Sequence, residues 1–204
     1  MFDWITNIID AVGPVGVALL MFLENVFPPI PSELIMPLAG FNAQQGDMSF
    51  IGVLLAGIVG SVAGAALWYW IGAAIGMRRL KKLARNHGRW LTLTPSELER
   101  SADWFSRHGG EAVFFGRLIP TVRTFISVPA GVAGMPVPKF LIYSLIGTAI
   151  WTALLAAAGY LLGSQYDLVE AWLNPVSTGV VLLIVALYLY RVATFGKRLR
   201  RETE

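Results

Sequence analysis

Glu24-Asn25-Val26-Phe27-Pro28-Pro29-Ile30-Pro31-Ser32-Glu33 lies between two uncharged runs, residues 11–23 and 34–46. Each run has 13 residues, about 20 Å as helix, which is roughly two-thirds of the hydrocarbon thickness of a bilayer. Pro28, Pro29 and Pro31 break any helix between them, because each lacks an N–H and clashes with the preceding turn. The segment predicts a hairpin that enters a membrane, turns and leaves by the same side. One kinked transmembrane helix over residues 11–41 is the alternative. Irregular backbone at membrane depth needs protein or water around it, so the break is also where a site is expected.

The composition says what surrounds this segment. Of 204 residues, 55% are hydrophobic and 14% charged, against about 25% charged in soluble domains. Mean hydropathy is +0.61. A soluble globule of this size cannot hide that much apolar surface, which excludes a soluble enzyme, a disordered regulator and a nucleic-acid-binding domain. The net charge of +3 does not reopen the last of these, because the charges are clustered. With no cysteine there is no disulfide, thiolate chemistry or Cys-ligated zinc. His87 and His108 both lie in polar stretches, so neither a metal nor a cofactor is implied.

Charge order gives a topology. Asp3, Asp10, Glu24, Glu33 and Asp47 all precede the first basic residue, Arg78. Basic residues then crowd between Arg78 and Arg107, and again at the end, in Arg191, Lys197, Arg198, Arg200 and Arg201. Such clusters mark the cytoplasmic side. Residues 48–77, 140–166 and 171–190 are uncharged and long enough to cross. Three crossings with a basic, inside C-terminus leave the N-terminus outside. The start of the chain lacks the basic region of a signal peptide.

A second broken segment follows the basic cluster: Phe114-Phe115-Gly116-Arg117-Leu118-Ile119-Pro120-Thr121-Val122-Arg123, leading to Pro129-Ala130-Gly131. It predicts a hairpin entering from the opposite face. The two halves share a pattern. Gly60, Gly72 and Gly76 recur 87 positions later as Gly147, Gly159 and Gly163. Ser61 recurs as Thr148, and Ala39-Gly40 recurs 91 positions later as Ala130-Gly131. Each half reads as an interfacial helix, a re-entrant hairpin and a crossing. One crossing separates their starting sides, so the repeat is inverted, a recurring transporter design. The predicted fold is an all-α integral membrane protein, a single membrane domain over residues 1–204. It comprises repeat 1 (about 1–77), repeat 2 (about 94–165) and an extra C-terminal transmembrane helix (about 171–195).

Two amphipathic segments supply the interfacial helices. Thr94-Pro95-Ser96-Glu97 is a capping box with proline at the first helical position, and Gly109-Gly110 is expected to stop that helix. Residues 3–12, with Trp4, Ile5, Ile8 and Val12, form a shorter counterpart. The basic cluster over 78–89 reads as an anchor beside anionic headgroups.

Ionisable residues at membrane depth are costly and so are functional candidates. Glu24 and Glu33 flank the first break; Arg117 and Arg123 flank the second. If the tips meet, acids and guanidiniums neutralise one another, either as structural pairs that dock the hairpins or as working parts. Two arginines offer planar forks of donors that fit a phosphate. A glutamate among them can leave by protonation, since burial favours the neutral acid and an arginine favours the carboxylate. Glu24 and Glu33 are therefore candidate proton-coupling or gating residues. Pro28, Pro31 and Pro120 make the breaks. Glu111, at the mouth of the second hairpin, is a secondary candidate. The Gly60/Gly64, Gly72/Gly76 and Gly159/Gly163 pairs permit close helix contact.

These motifs resemble the DedA family of bacterial inner-membrane proteins, whose core is the VTT or SNARE-associated domain. The resemblance rests on Phe22-Leu23-Glu24-Asn25 with Pro28, Pro31 and Glu33, on Phe115-Gly116-Arg117 with Pro120 and Arg123, on Pro129-Ala130-Gly131 with Gly134-Met135, and on Gly147, Trp151, Gly159-Tyr160 and Gly163. It covers about residues 10–165. It implies re-entrant hairpins, a place in the bacterial cytoplasmic membrane and movement of a lipid phosphate, chiefly undecaprenyl phosphate, with phosphatidylethanolamine or general scrambling in some relatives. Glu24, Arg117 and Arg123 fall on the family's functional positions, while Glu33 stands where aspartate is often found. The expected activity is thus a lipid flippase and not an enzyme, and no cofactor is implied. A phospholipid scramblase and a proton-coupled small-cation transporter are the competing readings. The partners are the bilayer and a lipid phosphate, with protons and a second copy of the chain as open cases and no nucleic acid.

Overall fold

The computed structural model describes residues 3–27, 32–91, 95–162 and 190. The described residues are helical: α1 (Asp3–Val12), α2 (Pro14–Val26), α3 (Ser32–Gln45), α4 (Phe50–Leu91), α5 (Pro95–Arg117), α6 (Pro120–Arg123), α7 (Ser127–Val132) and α8 (Val137–Leu162). Pro28 and Pro31, the Thr94 cap, Gly163 and, apart from Tyr190, the predicted crossing over 171–195 lie outside the described residues.

Local chemistry sets the boundaries. α2 starts at Pro14, whose fixed φ suits the first helical position, behind Gly13 at φ 62. That left-handed turn aims α2 away from α1. Asn42 near the end of α3 donates a 3.1 Å hydrogen bond to Asp10 near the end of α1, so the chain comes back to where α2 began. α2 and α3 are therefore described as separate helices on either side of residues 28–31.

α4 and α8 carry stretches long and apolar enough to cross a bilayer, Phe50–Lys82 and Val137–Leu161, and only a third of the apolar window in each is buried against protein. Ile51, Leu55 and Val59 on α4, and Ile142, Leu145, Ile146, Ile150 and Leu154 on α8, stand exposed at helical spacing. A soluble core helix would cover such ladders; hydrocarbon can cover them here.

The two long helices hold the shorter ones in an exchanged pattern. α2 packs along α4, and α5 packs on α8, whereas α3 packs on α8 and α7 on α4. Small residues set the closest approaches. A Cβ on Gly40 would collide with the Ala156 carbonyl, and one on Gly131 with the Tyr69 carbonyl. Gly159 abuts the Pro37 carbonyl and Gly72 the Val128 carbonyl in the same way. One apolar core gathers Ile5, Leu20, Ile35, Met36 and Val53, and the other gathers Tyr69, Phe105, Val113 and Phe140. Tyr69 stacks on Phe140 at 4.5 Å and donates its hydroxyl to the Met135 carbonyl.

Two expectations are corrected. Gly109-Gly110 does not stop a helix; α5 continues through both to Arg117. A Cβ at Gly109 would lie 3.0 Å from the Phe105 ring, and one at Gly110 lies 2.7 Å from the Tyr143 ring, so these glycines make room for aromatic packing. The helix of the first crossing also does not end where the charge begins. α4 runs on through the basic cluster to Leu91, with Gly76 at φ 63 inside it. A left-handed residue cannot continue a straight helix, so the axis is redirected where the apolar stretch gives way to Arg78 and Arg79.

Candidate functional site

The second break is made by a proline. Ile119 precedes Pro120 and is held extended at φ −106, ψ 117, which ends α5 at Arg117 and restarts the chain as α6. Arg117 thus closes the 23-residue α5 and Arg123 closes the four-residue α6. Glu24 lies in the last turn of α2. The fold brings all three together in the interior, at 4% exposure for Glu24, 2% for Arg117 and 4% for Arg123, which puts every one of these charges out of solvent.

Arg123 Nη2 pairs with Glu24 Oε1. Arg117 lies behind that pair. Its Nη1 donates to the Arg123 carbonyl at 2.7 Å and its Nη2 to Ser127 Oγ at 2.7 Å, with Ser144 Oγ at 3.5 Å. Its guanidinium is 5.9 Å from the centre of the Phe140 ring, within the range of a cation–π contact. Arg117 Nε is buried and has no partner. Asn25 Nδ2 donates to Glu24 Oε2 at 3.1 Å and to the Met21 carbonyl at 3.2 Å, and Trp68 Nε1 donates to the Asn25 carbonyl at 2.8 Å. α4 thereby fixes the turn that carries Glu24. Two glycines allow these approaches: a Cβ on Gly64 would lie 2.5 Å from Asn25 Cβ, and one on Gly147 2.7 Å from Arg117 Cβ.

The charge balance is the chemical point. Among the described residues the buried charges are two guanidiniums and one carboxylate, with the half-buried Glu33 as a further acid near Glu24. Buried charge is strongly unfavourable unless paired, and an anion with several acceptor oxygens would complete the set.

The other predicted residues are placed differently. Glu33 is half-buried in the first turn of α3, where Ser32 Oγ donates to its Oε2 at 3.3 Å. Among the described residues the ion pair to an arginine is made by Glu24 alone. Glu111 is exposed on α5. Pro120 begins α6. Ser127, Ser144, Asn25, Trp68 and Phe140 were not anticipated. Ser144, Thr148 and Thr152 recur every fourth residue and are all buried, a spacing visible in the sequence as hydroxyls on one face of an apolar span. Thr152 Oγ1 donates to the Thr148 carbonyl at 2.8 Å, and Ser61 Oγ is buried without a partner. Among the described residues no three His, Cys, Asp or Glu side chains gather in a way that could hold a metal.

Comparison with known proteins supplies the family. Residues 30–161 match the VTT domain. The chain is 36% identical over 199 residues to an "Alkaline phosphatase-like protein" of Lactococcus lactis subsp. lactis, covering 97% of this chain and 93% of that one. It is 34% identical over 197 residues to "Undecaprenyl phosphate transporter A" of Staphylococcus aureus, covering 96% and 97%. It is 27% identical over 172 residues to "Protein DedA" of Escherichia coli, covering 82% and 76%. No solved structure matches. A domain match across most of the chain, and end-to-end likeness to several relatives, place this membrane protein in the VTT-domain family to which DedA belongs.

Proposed function

We propose that the chain carries the phosphate headgroup of a polyprenyl-phosphate lipid, of the undecaprenyl phosphate type, across the bacterial cytoplasmic membrane. The observation that carries this reading is that, among the described residues, two guanidiniums and one carboxylate are buried together where α2 ends and α5 gives way to α6. The name of the Staphylococcus aureus relative supplies the lipid class. Arg117 and Arg123 bind the phosphate while the isoprenoid tail stays in hydrocarbon. Glu24 competes with that phosphate for Arg123. Protonation neutralises Glu24 and frees Arg123; deprotonation restores the pair and expels the headgroup. A proton then moves with each cycle. Glu33 is the second acid of this gate.

The architecture behind the cycle is an inverted repeat of two re-entrant hairpins. The exchanged packing supports it. The Gly40–Ala156 approach matches Gly131–Tyr69, and Gly159–Pro37 matches Gly72–Val128, at offsets of 91 along the short helices and 87 along the long ones. The acidic start and basic clusters support an N-terminus outside and a C-terminus inside.

Proteoliposomes loaded with polyprenyl phosphate on one leaflet test the reading. The wild type is expected to equilibrate or pump the lipid, and Arg117→Lys and Arg123→Lys to lose about tenfold or more, because a point charge cannot replace the fork. Unchanged transport by both variants rules out the proposed phosphate site. Release of inorganic phosphate from the same lipid would point instead to hydrolysis.

A further inference from the structure

A cavity of about 770 Å³ opens beside α5, outside the Glu24–Arg123 cluster. Its walls are Met77 and Leu80 of α4, Ala102 and Phe105 of α5, Val132 of α7 and Ala133 just after it. Among the described residues Arg100 is the one charged member of its lining. The volume is that of a ligand site, and the wall is almost wholly apolar. Its origin is backbone geometry. Gly76, left-handed at φ 63, stands in α4 immediately before Met77, so α4 changes course just past the part that packs on α7.

The charge at the cavity is the exposed Arg100. Arg78, Arg79 and Lys82 are exposed on the neighbouring turns of α4, on faces other than that of Met77 and Leu80. The acid nearest that stretch is already engaged: Glu99 accepts a 2.7 Å ion pair from Lys81, which also clips α4 to α5 beside the opening. Asp103 is exposed one turn beyond Arg100. An apolar wall with one guanidinium, that of Arg100, fits a molecule with a hydrocarbon chain and an anionic head. The cavity also leads inward. Val128 in its floor follows Ser127, the residue that accepts the Arg117 hydrogen bond, and α7 is six residues long, about 9 Å.

We infer that this groove is the entry site for the lipid: the first isoprene units lie on the wall formed by α4, α5 and α7, and Arg100 captures the phosphate before it passes along α7 to Arg123 and Arg117. The inference rests on the proposed transport of a lipid phosphate and adds to it a binding site for the chain. The groove selects chain length and the buried arginines select the phosphate.

Two experiments test it. A photo-reactive benzophenone side chain at position 133, in full-length protein in nanodiscs containing undecaprenyl phosphate, should give a lipid adduct. Competition by added polyprenyl phosphate should exceed competition by neutral polyprenol about threefold or more, and Arg100→Ala should erase that difference. An adduct to the chain's own residues 163–204, or equal competition by both lipids, overturns the groove. In the transport assay, Ala102→Trp should raise the half-saturating concentration of undecaprenyl phosphate about tenfold and leave short-chain geranyl phosphate within about twofold. An equal effect on both lipids, or on neither, overturns it as well. A wild type that moves neither lipid sinks the transport reading, while the adduct still decides the groove.

Discussion

At the scale of single residues, the Glu24–Arg123 pair and Arg117 form one balance of charge. Removing Glu24 leaves two guanidiniums buried together, and breaking a buried pair typically costs about 3–5 kcal/mol. Glu24→Gln is therefore expected to melt well below the wild type in detergent. Added polyprenyl phosphate should restore most of that loss, because the arginines survive and the anion takes the place of the carboxylate. Arg123→Gln should melt low as well and gain nothing from the lipid. The pH sign follows. A glutamine mimics the protonated acid, so Glu24→Gln should bind the lipid at neutral pH as the wild type does under acid, and its transport should no longer respond to a proton gradient. Glu33→Gln, on a half-buried side chain, should shift stability by less than about 1 kcal/mol. Glu24, Arg117 and Arg123 were legible from the sequence because charge inside an apolar run has few explanations. Ser127 and Ser144 were not, because a hydroxyl in an apolar helix commonly bonds its own backbone, as Thr152 does, and nothing in the order of residues says which one turns to an arginine.

At the scale of elements, the short helices are held by contact with backbone. At Gly159 and Gly72 a methyl group would meet a carbonyl that cannot swing aside. Gly159→Ala and Gly72→Ala should each destabilise by about 1–3 kcal/mol, visible as a lower melting temperature. Gly52→Ala is the control. A Cβ there meets only side-chain atoms at 3.6 and 3.7 Å, so helix propensity should dominate and the melting temperature should hold or rise. The glycine offsets foretold close approach at Gly60, Gly72, Gly147 and Gly159 but not what they approach, and they misled at Gly76, where nothing lies within 4 Å of a Cβ. Gly109-Gly110 misled because a glycine pair after an amphipathic run has two uses, stopping a helix or admitting a ring, and only the position of Tyr143 decides. The bend at Gly76 was hidden for the same reason: the residue type permits a left-handed φ without demanding it. The proline breaks were the firmer signal, since Pro120 forces Ile119 out of helical geometry whatever surrounds it.

At the scale of the whole molecule, the ladder of exposed apolar side chains on α4 and α8 fixes hydrocarbon as the medium, and composition alone had already said so. The chain has no cysteine, so single cysteines report without background. Gln45→Cys, at the end of α3, and Lys82→Cys, at the far end of the apolar stretch of α4, should be labelled by an impermeant maleimide from opposite faces of intact cells, with Gln45→Cys reached first from outside. Labelling of both from one face would remove α4 as a crossing. The exchange of short helices between the two long ones also bears on synthesis. Glu24 emerges from the ribosome 99 residues ahead of Arg123, and α3 emerges before the α8 against which it rests. At about 5–20 residues per second, the first half of the nascent chain waits some 5–20 s for its partner. During that interval Glu24 lacks the Arg123 counter-ion that it has in the finished fold.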